Sequence, residues 1–225
     1  MIKPDDKVIY IDNHIIAVIK PTGLLTRTDH NSNDSLIDQT RQWIKKKYNK
    51  PNKIFLGLVH RLDRNVSGVI LFARTSKAAS RLSKQFRERT IKKIYHAIVV
   101  GKVKKVRAKL VHHIRKGKSL KATVFPRETP TAKRSELSYE VIDLLGGNTL
   151  VEVTLSTGRF HQIRAQMAFI GYPVLGDVKY GAPEALLNQE ITLYAYKLVF
   201  NHPISNEEIQ LTAPEPKTWE QFKIV

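Results

Sequence analysis

Apolar and polar positions alternate near the start of the chain and predict a β-hairpin. The apolar runs at 8–11 and 15–19 are separated by the turn-forming residues Asp12 and Asn13. Asp and Asn favour turns because their short side chains hydrogen-bond to nearby backbone groups. The spacing of two is that of a half-buried strand. Residues 20–23, Lys-Pro-Thr-Gly, then end the second strand, since proline fixes φ and glycine permits a positive φ.

Apolar positions three and four apart predict helices further along the chain. The first helix is expected over 35–48, with Asp34 or Ser35 available as its N-cap. The second is expected over 76–89, with Ser76 as its N-cap. Both patterns place apolar side chains on one face, which must pack against another part of the chain.

A third helix and a series of strands complete the pattern. The third helix is expected over 159–170, and Gly171 is suited to end it as a C′ glycine. Strands are expected over 54–59, 69–73, 92–100, 138–144, 149–155, 192–200 and 208–211. Strands that follow one another with interspersed helices predict an α+β fold with a mixed, largely antiparallel sheet. We expect residues 1–225 to form a single domain.

Charge is distributed unevenly along the 225 residues, whose net charge is +18. Residues 81–121 carry 15 Lys or Arg and one acid, a net +14, whereas residues 181–225 carry a net −3. This favours a one-sided basic face that binds a polyanion, nucleic acid first, over a uniformly solvated basic surface. Because 101–121 has few large apolar residues, we expect a basic, exposed, partly flexible excursion there.

Several classes of protein are excluded or disfavoured. The chain has no cysteine, which excludes disulfides, thiolate metal sites and cysteine nucleophiles. Its eight histidines show no H-x-x-x-H pair, so no metal site is expected. No apolar run approaches the roughly 20 residues that span a bilayer, and residues 1–6 lack the apolar segment of a signal peptide. We expect a soluble cytoplasmic protein that does not bind membranes.

A charged segment interrupts two apolar runs at residues 60–68. Within it, Asp63 lies between Arg61 and Arg64. Nearby cations favour the ionised form of a carboxylate, and an ionised carboxylate beside a rigid strand can act as nucleophile or base. The alternative is a surface turn with Asp–Arg pairs, each contributing about 0–1 kcal/mol. From the residues alone both interpretations stay open.

A second polar segment, at residues 155–164, begins a helix with cations. Arg159 and Arg164 lie five residues apart and share no helix face, so we expect them to have separate tasks. Cations oppose the helix dipole at this end, which indicates an anion-binding role or surface packing without a ligand.

These segments together resemble one family. His60-Arg61-Leu62-Asp63-Arg64, followed by Gly68, is similar to motif II of the RluA family of RNA pseudouridine synthases. The K-P-x-G turn at 20–23, the K-x-Y-x-A strand at 93–97 and the T-G-R-x-H-Q-I-R segment at 157–164 are also similar. So is the loop at 171–181. The order and spacing fit over residues 8 to 203.

The resemblance implies a curved sheet of the pseudouridine synthase type and a reaction without metal or organic cofactor. It implies that Asp63 is the catalytic aspartate, acting on the ribose or the base. Tyr95 would lie beside it as a deprotonation or stacking partner, and Arg164 would pair with it. Arg61 would fill the space that the flipped uridine leaves, and Ile163 would pack on the base. RNA contacts are expected from the other motif residues His60, Arg64, Lys20, Gly23, Arg159, His161 and Gln162.

Three positions depart from the family pattern. The family usually has Thr where this chain has Val66, often has His at the position of Gln166, and has His where this chain has Tyr194. We expect these differences to affect contacts with the substrate more than the catalytic residues. The resemblance begins by residue 8, so we expect a stand-alone catalytic domain without an S4 RNA-binding domain.

The function predicted is isomerisation of specific uridines in structured RNA, a ribosomal or transfer RNA stem-loop, to pseudouridine. Such an enzyme must take the base out of its stack. The alternative is a catalytically silent RNA-binding protein of the same fold, in which a carboxylate in the anion-binding cleft would repel phosphate. A DNA-binding protein lacks support, because no helix-turn-helix or zinc signature is present. No protein partner is implied, and we expect a monomer.

Overall fold

The structure is a computed structural model that describes residues 7–28 and 34–222. Residues 1–6, discussed above for the signal peptide, lie outside the described residues. The chain divides into two compact units: residues 1–91 with 197–213, and residues 92–196 with 214–225. The single domain expected over 1–225 stays a prediction.

Eleven strands and three α-helices are found in the described residues. The strands are β1 (Val8–Ile11), β2 (Ile15–Lys20), β3 (Gly57–Leu58), β4 (Ser67–Ala73), β5 (Lys92–Val99), β6 (Arg107–Lys116), β7 (Ala122–Phe125), β8 (Lys133–Leu145), β9 (Asn148–Leu155), β10 (Leu193–Asn201) and β11 (Glu208–Thr212). The helices are α1 (Leu36–Lys47), α2 (Ser76–Glu88) and α3 (Gln162–Phe169).

The first unit is built on strand β2, which pairs antiparallel with β1 on one side and β4 on the other. The predicted hairpin is confirmed, and its turn is fixed by Asp12, whose carboxylate accepts from the backbone N–H groups of His14 and Ile15, each at 2.7 Å. Strand β4 is buried along residues 68–73, which explains its unbroken apolar sequence. The strand expected over 54–59 is reduced to β3, where only Gly57 and Leu58 pair with β4.

The helix caps of the first unit differ from the prediction. Helix α2 is capped by Thr75, whose hydroxyl accepts from the N–H of Ala78 at 3.2 Å, and not by Ser76. Ser35 does occupy the N-cap position of α1, but its hydroxyl donates to the carboxylate of Asp38 and makes no capping bond. Both helices begin within one residue of the predicted start.

The second unit contains strands β5 to β9, in the spatial order β5-β9-β8-β6-β7. The predicted turn between β8 and β9 is confirmed, with Gly146 at φ 53° and Gly147 at φ 88°. Both values suit a type I′ hairpin, which requires positive φ at its two central residues. Strand β8 begins five residues earlier than predicted, at Lys133.

The expectation of a partly flexible excursion over 101–121 is wrong for its central part, which forms β6. Its neighbours are β7 and β8, and both pairings are antiparallel. Residues Ala108, Leu110 and Ile114 are more buried than Arg107 and Lys109. The segment is therefore a half-exposed strand whose basic side chains point away from the core.

Helix α3 begins three residues later than predicted. His161 occupies the N-cap position and has φ 52°, a left-handed backbone conformation. Because this conformation lies outside the right-handed helical region, the helix cannot extend back through His161 to residue 159. The end of the helix is confirmed at Gly171, with φ 90°. There the N–H of Gly171 donates to Ala168 and that of Tyr172 to Met167, the pair of bonds that makes a Schellman motif.

The α+β class with a largely antiparallel sheet is confirmed, because every described strand register in either unit is antiparallel. In the described part of the chain, no helix is both long and apolar enough to cross a membrane.

Candidate active site

Asp63 lies in the loop between β3 and β4 of the first unit. It is half-buried between the buried side chains of Leu62 and Val66. The hydroxyl of Thr26 donates to the carbonyl of Leu62 at 3.1 Å and accepts from its N–H at 3.3 Å. The N–H of Val66 donates to the carbonyl of Asp63 at 3.1 Å. The backbone on both sides of the carboxylate is thus held by hydrogen bonds.

Lys20 ties the turn at 20–24 to this loop. Its side chain is fully buried, and its Nζ donates to the carbonyls of Pro21 at 2.9 Å, Leu24 at 2.6 Å and Arg64 at 2.9 Å. Burial lowers the pKa of Lys20 to about 7, while the charge of Asp63 raises it and that of Arg64 lowers it. Three carbonyls match the three N–H groups of an ammonium, since a neutral amine supplies only two.

Gly23 and Arg64 connect the turn at 20–24 to the Asp63 loop by two further hydrogen bonds. The N–H of Gly23 donates to the carbonyl of Arg64 and the Nε of Arg64 donates to the carbonyl of Gly23, both at 2.9 Å. Gly23 has φ 81° and open space where a Cβ would lie, so the backbone conformation requires the glycine. The structure therefore brings Lys20, Gly23, Asp63 and Arg64 together.

The two remaining first-unit candidates have different surroundings. Arg61 is exposed. His60 is half-buried, its Nε2 accepts from the N–H of Leu71 at 2.9 Å, and its ring stacks on Phe86 with centroids 4.7 Å apart. These contacts position the loop at the point where it leaves β3. RNA contacts by His60 and Arg61 stay predictions.

In the second unit, a side-chain network shapes the turn before α3. The buried amide of Gln162 accepts at Oε1 from the hydroxyl of Thr157 at 2.7 Å and from the N–H of Arg159 at 2.9 Å. Its Nε2 donates to the carbonyl of Glu136 on β8 at 3.0 Å. Thr157 also accepts from the N–H of Glu136 at 2.8 Å. Gln162 thus holds the turn against β8, and the RNA contact that the sequence predicted for it stays a prediction.

Arg164 is buried and makes a two-bond ion pair with Asp177. Its Nε lies 2.6 Å from Oδ2 and its Nη2 lies 2.8 Å from Oδ1. The side chains are 6% and 1% exposed, so the pair is removed from water. A fork of this kind fixes the guanidinium plane as well as its position.

His161 and Tyr180 extend this pair. The Nη1 of Arg164 donates to Nε2 of His161 at 3.2 Å, and Nδ1 of His161 lies 2.9 Å from the hydroxyl of Tyr180. Because an arginine only donates, the network assigns the proton of a neutral His161 to Nδ1. Tyr180 also accepts from the N–H of Ala122 at 2.7 Å, which connects the network to β7.

The other second-unit candidates lie on β5 and around the turn. Tyr95 is half-buried on β5, opposite Val153 of β9. Ile163 is 4% exposed, so it belongs to the packed interior of the unit. The Nε of Arg159 donates to the carbonyl of Arg134 at 3.0 Å, a different partner from that of Arg164. These contacts are consistent with the expectation that Arg159 and Arg164 have separate tasks.

Asp63 belongs to the first unit, and Tyr95 and Arg164 belong to the second. Their convergence into one catalytic set stays a prediction. The sequence interpretation missed Asp177, Thr26 and Tyr180 as partners. One signal was available for Asp177: an arginine within the apolar run of α3 must be buried, and a buried arginine needs a carboxylate.

The side chains at the three positions that depart from the family pattern are buried within their units. Val66 is 3% exposed. Gln166 is fully buried and its Nε2 donates to Nδ1 of His112 at 2.9 Å, while burial lowers the pKa of His112 and favours the neutral ring that accepts. Tyr194 donates to the carbonyl of Pro214 and packs on Trp219, and its burial raises its pKa. In these units the three side chains fill interior positions.

No group of three or more His, Asp or Glu residues in the described ranges is arranged to hold a metal ion. The chemistry available at Asp63 is that of a single carboxylate in a fixed loop beside a buried lysine.

Comparisons with known proteins agree on one family. A family model described as RNA pseudouridylate synthase matches residues 14–169. The ribosomal large subunit pseudouridine synthase C of Vibrio vulnificus (strain CMCP6) is 32% identical over 216 residues, which cover 93% of this chain and 65% of that protein. This chain therefore spans slightly less than two thirds of that relative.

Two further proteins match over most of their length. The dual-specificity RNA pseudouridine synthase RluA of Pasteurella multocida (strain Pm70) is 34% identical over 212 residues, which cover 92% of both chains. The solved structure of human RNA pseudouridylate synthase domain containing 4 covers 96% of this chain and 91% of its own, with a TM-score of 0.80 and 23% identity. The latter likeness concerns the fold alone.

Proposed function

This chain belongs to the RNA pseudouridylate synthase family, and from that premise we propose that it isomerises uridine in RNA to pseudouridine. The observation that carries the proposal is the Asp63 loop. A single carboxylate sits in a backbone fixed by Thr26, Lys20 and Gly23, at the position that the family's motif II gives to the catalytic aspartate.

The reaction moves one glycosidic bond from nitrogen to carbon. The C1′–N1 bond of uridine breaks, the uracil turns, and C5 bonds to C1′. C5 then loses its proton and N1 gains one, so the product has the same composition as the substrate. Asp63 acts on the ribose or the base during these steps, and Tyr95 receives the proton or stacks on the uracil. The reaction consumes neither oxidant nor reductant, and the proposal assigns the chain no cofactor.

Arg164 has a positioning role in this proposal. Its fork with Asp177 fixes the guanidinium on α3, which presents the arginine in a set orientation. Because the ion pair with Asp177 already fixes the side chain of Arg164, its proposed pairing with Asp63 would cost little further side-chain conformational entropy. Arg61 is proposed to fill the space of the flipped uridine, which is compatible with its exposure.

The proposed substrate is a stem-loop of ribosomal or transfer RNA. Two relatives carry names that refer to the ribosomal large subunit or to dual specificity. Unpaired loop bases cost least to flip, and they are the usual targets of sequence-specific RNA recognition. We further propose that the protein acts as a cytoplasmic monomer.

A pseudouridine map of total RNA tests this function. Cells lacking the protein are compared with cells rescued by wild type, Asp63→Asn or the matched control Asp143→Asn, which changes an exposed carboxylate on β8. Pseudouridine is located by carbodiimide labelling and reverse transcription. We expect one or a few sites to disappear and to return with wild type and Asp143→Asn only.

Purified Asp63→Asn should bind RNA nearly as tightly as wild type, because the substitution changes only the reacting centre. An unchanged map in the deleted cells, or rescue by Asp63→Asn, would instead identify a catalytically silent RNA-binding protein.

A further inference from the structure

An open groove of about 490 Å³ lies within the second unit, among the end of β6, the start of β8 and the turn before α3. This volume falls in the range of about 300–1,000 Å³ that is usual for ligand sites. Four cations line it, Arg115 and Lys116 from β6, Lys133 from β8 and Arg159 from the turn. Phe160 adds an aromatic ring.

The groove is electropositive because its lining in the described residues includes no acid. The acid next to this region on β8, Glu136, has its charge balanced by Lys109 at 2.6 Å and Arg134 at 2.7 Å. A concave surface lined by one sign of charge concentrates the opposite ion. The groove is therefore suited to an anion with several charges.

The cations are supported by aromatic rings and backbone. The Nζ of Lys116 lies 4.7 Å from the ring centre of Phe160, and the guanidinium of Arg115 lies 4.9 Å from that of Phe125. Arg159 donates from Nε to the carbonyl of Arg134. The ring contacts hold Lys116 and Arg115 in place without neutralising their charge.

We propose that this groove binds the phosphate backbone of RNA outside the reacting nucleotide, through Arg115, Lys116, Lys133 and Arg159. The inference rests on the proposed function, which makes RNA the ligand. Arg and Lys make most backbone contacts in nucleic-acid complexes, and such contacts fix register without reading sequence. Within the basic segment 101–121, the proposal assigns RNA binding to the C-terminal end of β6. It also includes Lys133, which lies outside that segment.

The test compares two double variants that remove the same charge. Arg115→Gln/Lys133→Gln changes exposed groove residues, and Lys50→Gln/Lys53→Gln changes exposed residues of the loop after α1. Each protein is titrated with a synthetic stem-loop RNA that has uridines in its loop, at salt concentrations from about 50 to about 200 mM. Unfolding by urea is measured for all three proteins to show that the variants are folded.

We expect the groove variant to bind roughly three- to tenfold more weakly and to reduce the slope of log affinity against log salt by about 1.4–1.8, since each lost phosphate contact removes about 0.7–0.9. The control should match wild type within about twofold. An unchanged slope in the groove variant, or an equal loss in both variants, would overturn the inference. Displacement of the RNA by polyglutamate at equal charge concentration would also overturn it, because the groove would then take any polyanion.

The inference and the proposed function can fail separately. The groove is judged by the salt slope, whereas the function is judged by pseudouridine formation and its loss in Asp63→Asn. At saturating RNA the groove variant should retain the single-turnover rate of wild type, because it contacts backbone outside the reacting nucleotide. A reduced rate at saturation would overturn the placement of the groove outside the reacting nucleotide.

Discussion

The Asp63 loop of the first unit and the Arg164 turn of the second unit are held in different ways. Around Asp63 the bonds reach backbone atoms: the carbonyls of Leu62 and Arg64 and the N–H of Leu62 are bound by Thr26 and Lys20. Around Arg164 the bonds join side chains, Arg164 to Asp177 and His161, and His161 to Tyr180.

The difference indicates which substitutions each region can tolerate. A loop held by its backbone keeps its shape when most of its own side chains change, provided that Thr26, Lys20 and the Arg64 side chain that binds Gly23 remain. This is consistent with the exposed side chain of Arg61 and with Val66 at a position where the family has Thr. A turn held by side chains depends on each member, because removing one leaves a buried partner with unmet polar groups.

The largest expected effect is the loss of Asp177, which would break the second region alone. Asp177→Ala leaves the charge of Arg164 buried without its fork, and breaking a buried ion pair costs about 3–5 kcal/mol. We expect a decrease of that size in the free energy of unfolding, measured by urea denaturation. The control Asp143→Ala removes an exposed carboxylate and should stay within about 0.5 kcal/mol of wild type. A loss below about 1 kcal/mol for Asp177→Ala would show that the pair does not hold the turn.

The next effect concerns Lys20 and is a pH dependence. Burial lowers its pKa to about 7 from the ordinary 10.5. Below pH 7 both states bind the proton, and the native state carries the full desolvation cost. Between pH 7 and 10.5 the unfolded lysine keeps a proton that the native one has released, so stability rises with pH. The free energy of unfolding of wild type minus that of Lys20→Met should rise by about 2 kcal/mol from pH 7 to pH 9.

The pH dependence of this stability difference shows whether Lys20 loses its proton in the folded protein. The three carbonyl acceptors favour the ammonium, which opposes the effect of burial. If the difference between wild type and Lys20→Met stays flat up to pH 9, the carbonyls prevail and Lys20 remains charged there. The backbone-held loop would then depend on a permanent cation.

Features that depend on neighbouring residues could be predicted from the sequence. The hairpin at Asp12, the Gly146-Gly147 turn and the C′ glycine at Gly171 each follow from the conformational preferences of one or two residues. The unbroken apolar run of β4 likewise predicted a buried strand. The motif residues of the candidate site were found through the family resemblance, which supplied what local patterns could not.

Features that depend on distant contacts could not be predicted. Thr26 binds Leu62 from 36 positions away, and Asp177 binds Arg164 from 13 positions away. Neither spacing belongs to a helix or strand repeat. Strand β6 was missed for another reason: its four Lys and Arg residues in 107–116 obscured the alternation of Ala108, Leu110 and Ile114. The start of α3 was misplaced because the left-handed conformation of His161 has no signal in its residue type.

The smallest effect compares one threonine from each region. Thr26→Val leaves both the N–H and the carbonyl of Leu62 without their hydroxyl partner, and we expect a loss of about 1–2 kcal/mol in the free energy of unfolding. Thr157→Val removes the partner of the Glu136 N–H, but the Glu136 carbonyl still accepts from Gln162 Nε2 at 3.0 Å. We expect a loss of about 0.5–1 kcal/mol for that variant, because part of the network remains.

Valine preserves the shape of threonine, so each variant isolates the hydroxyl. Thr123→Val, on the exposed face of β7, serves as the control for the substitution itself. Single-turnover rates sharpen the comparison, because Thr26 binds the residue next to Asp63 and its loss should slow the reaction as well. If Thr157→Val proves the more damaging of the two in urea, the second region has less reserve than its bonds indicate. The turn would then depend on every member of its network, including Thr157, in spite of the remaining bonds of Gln162.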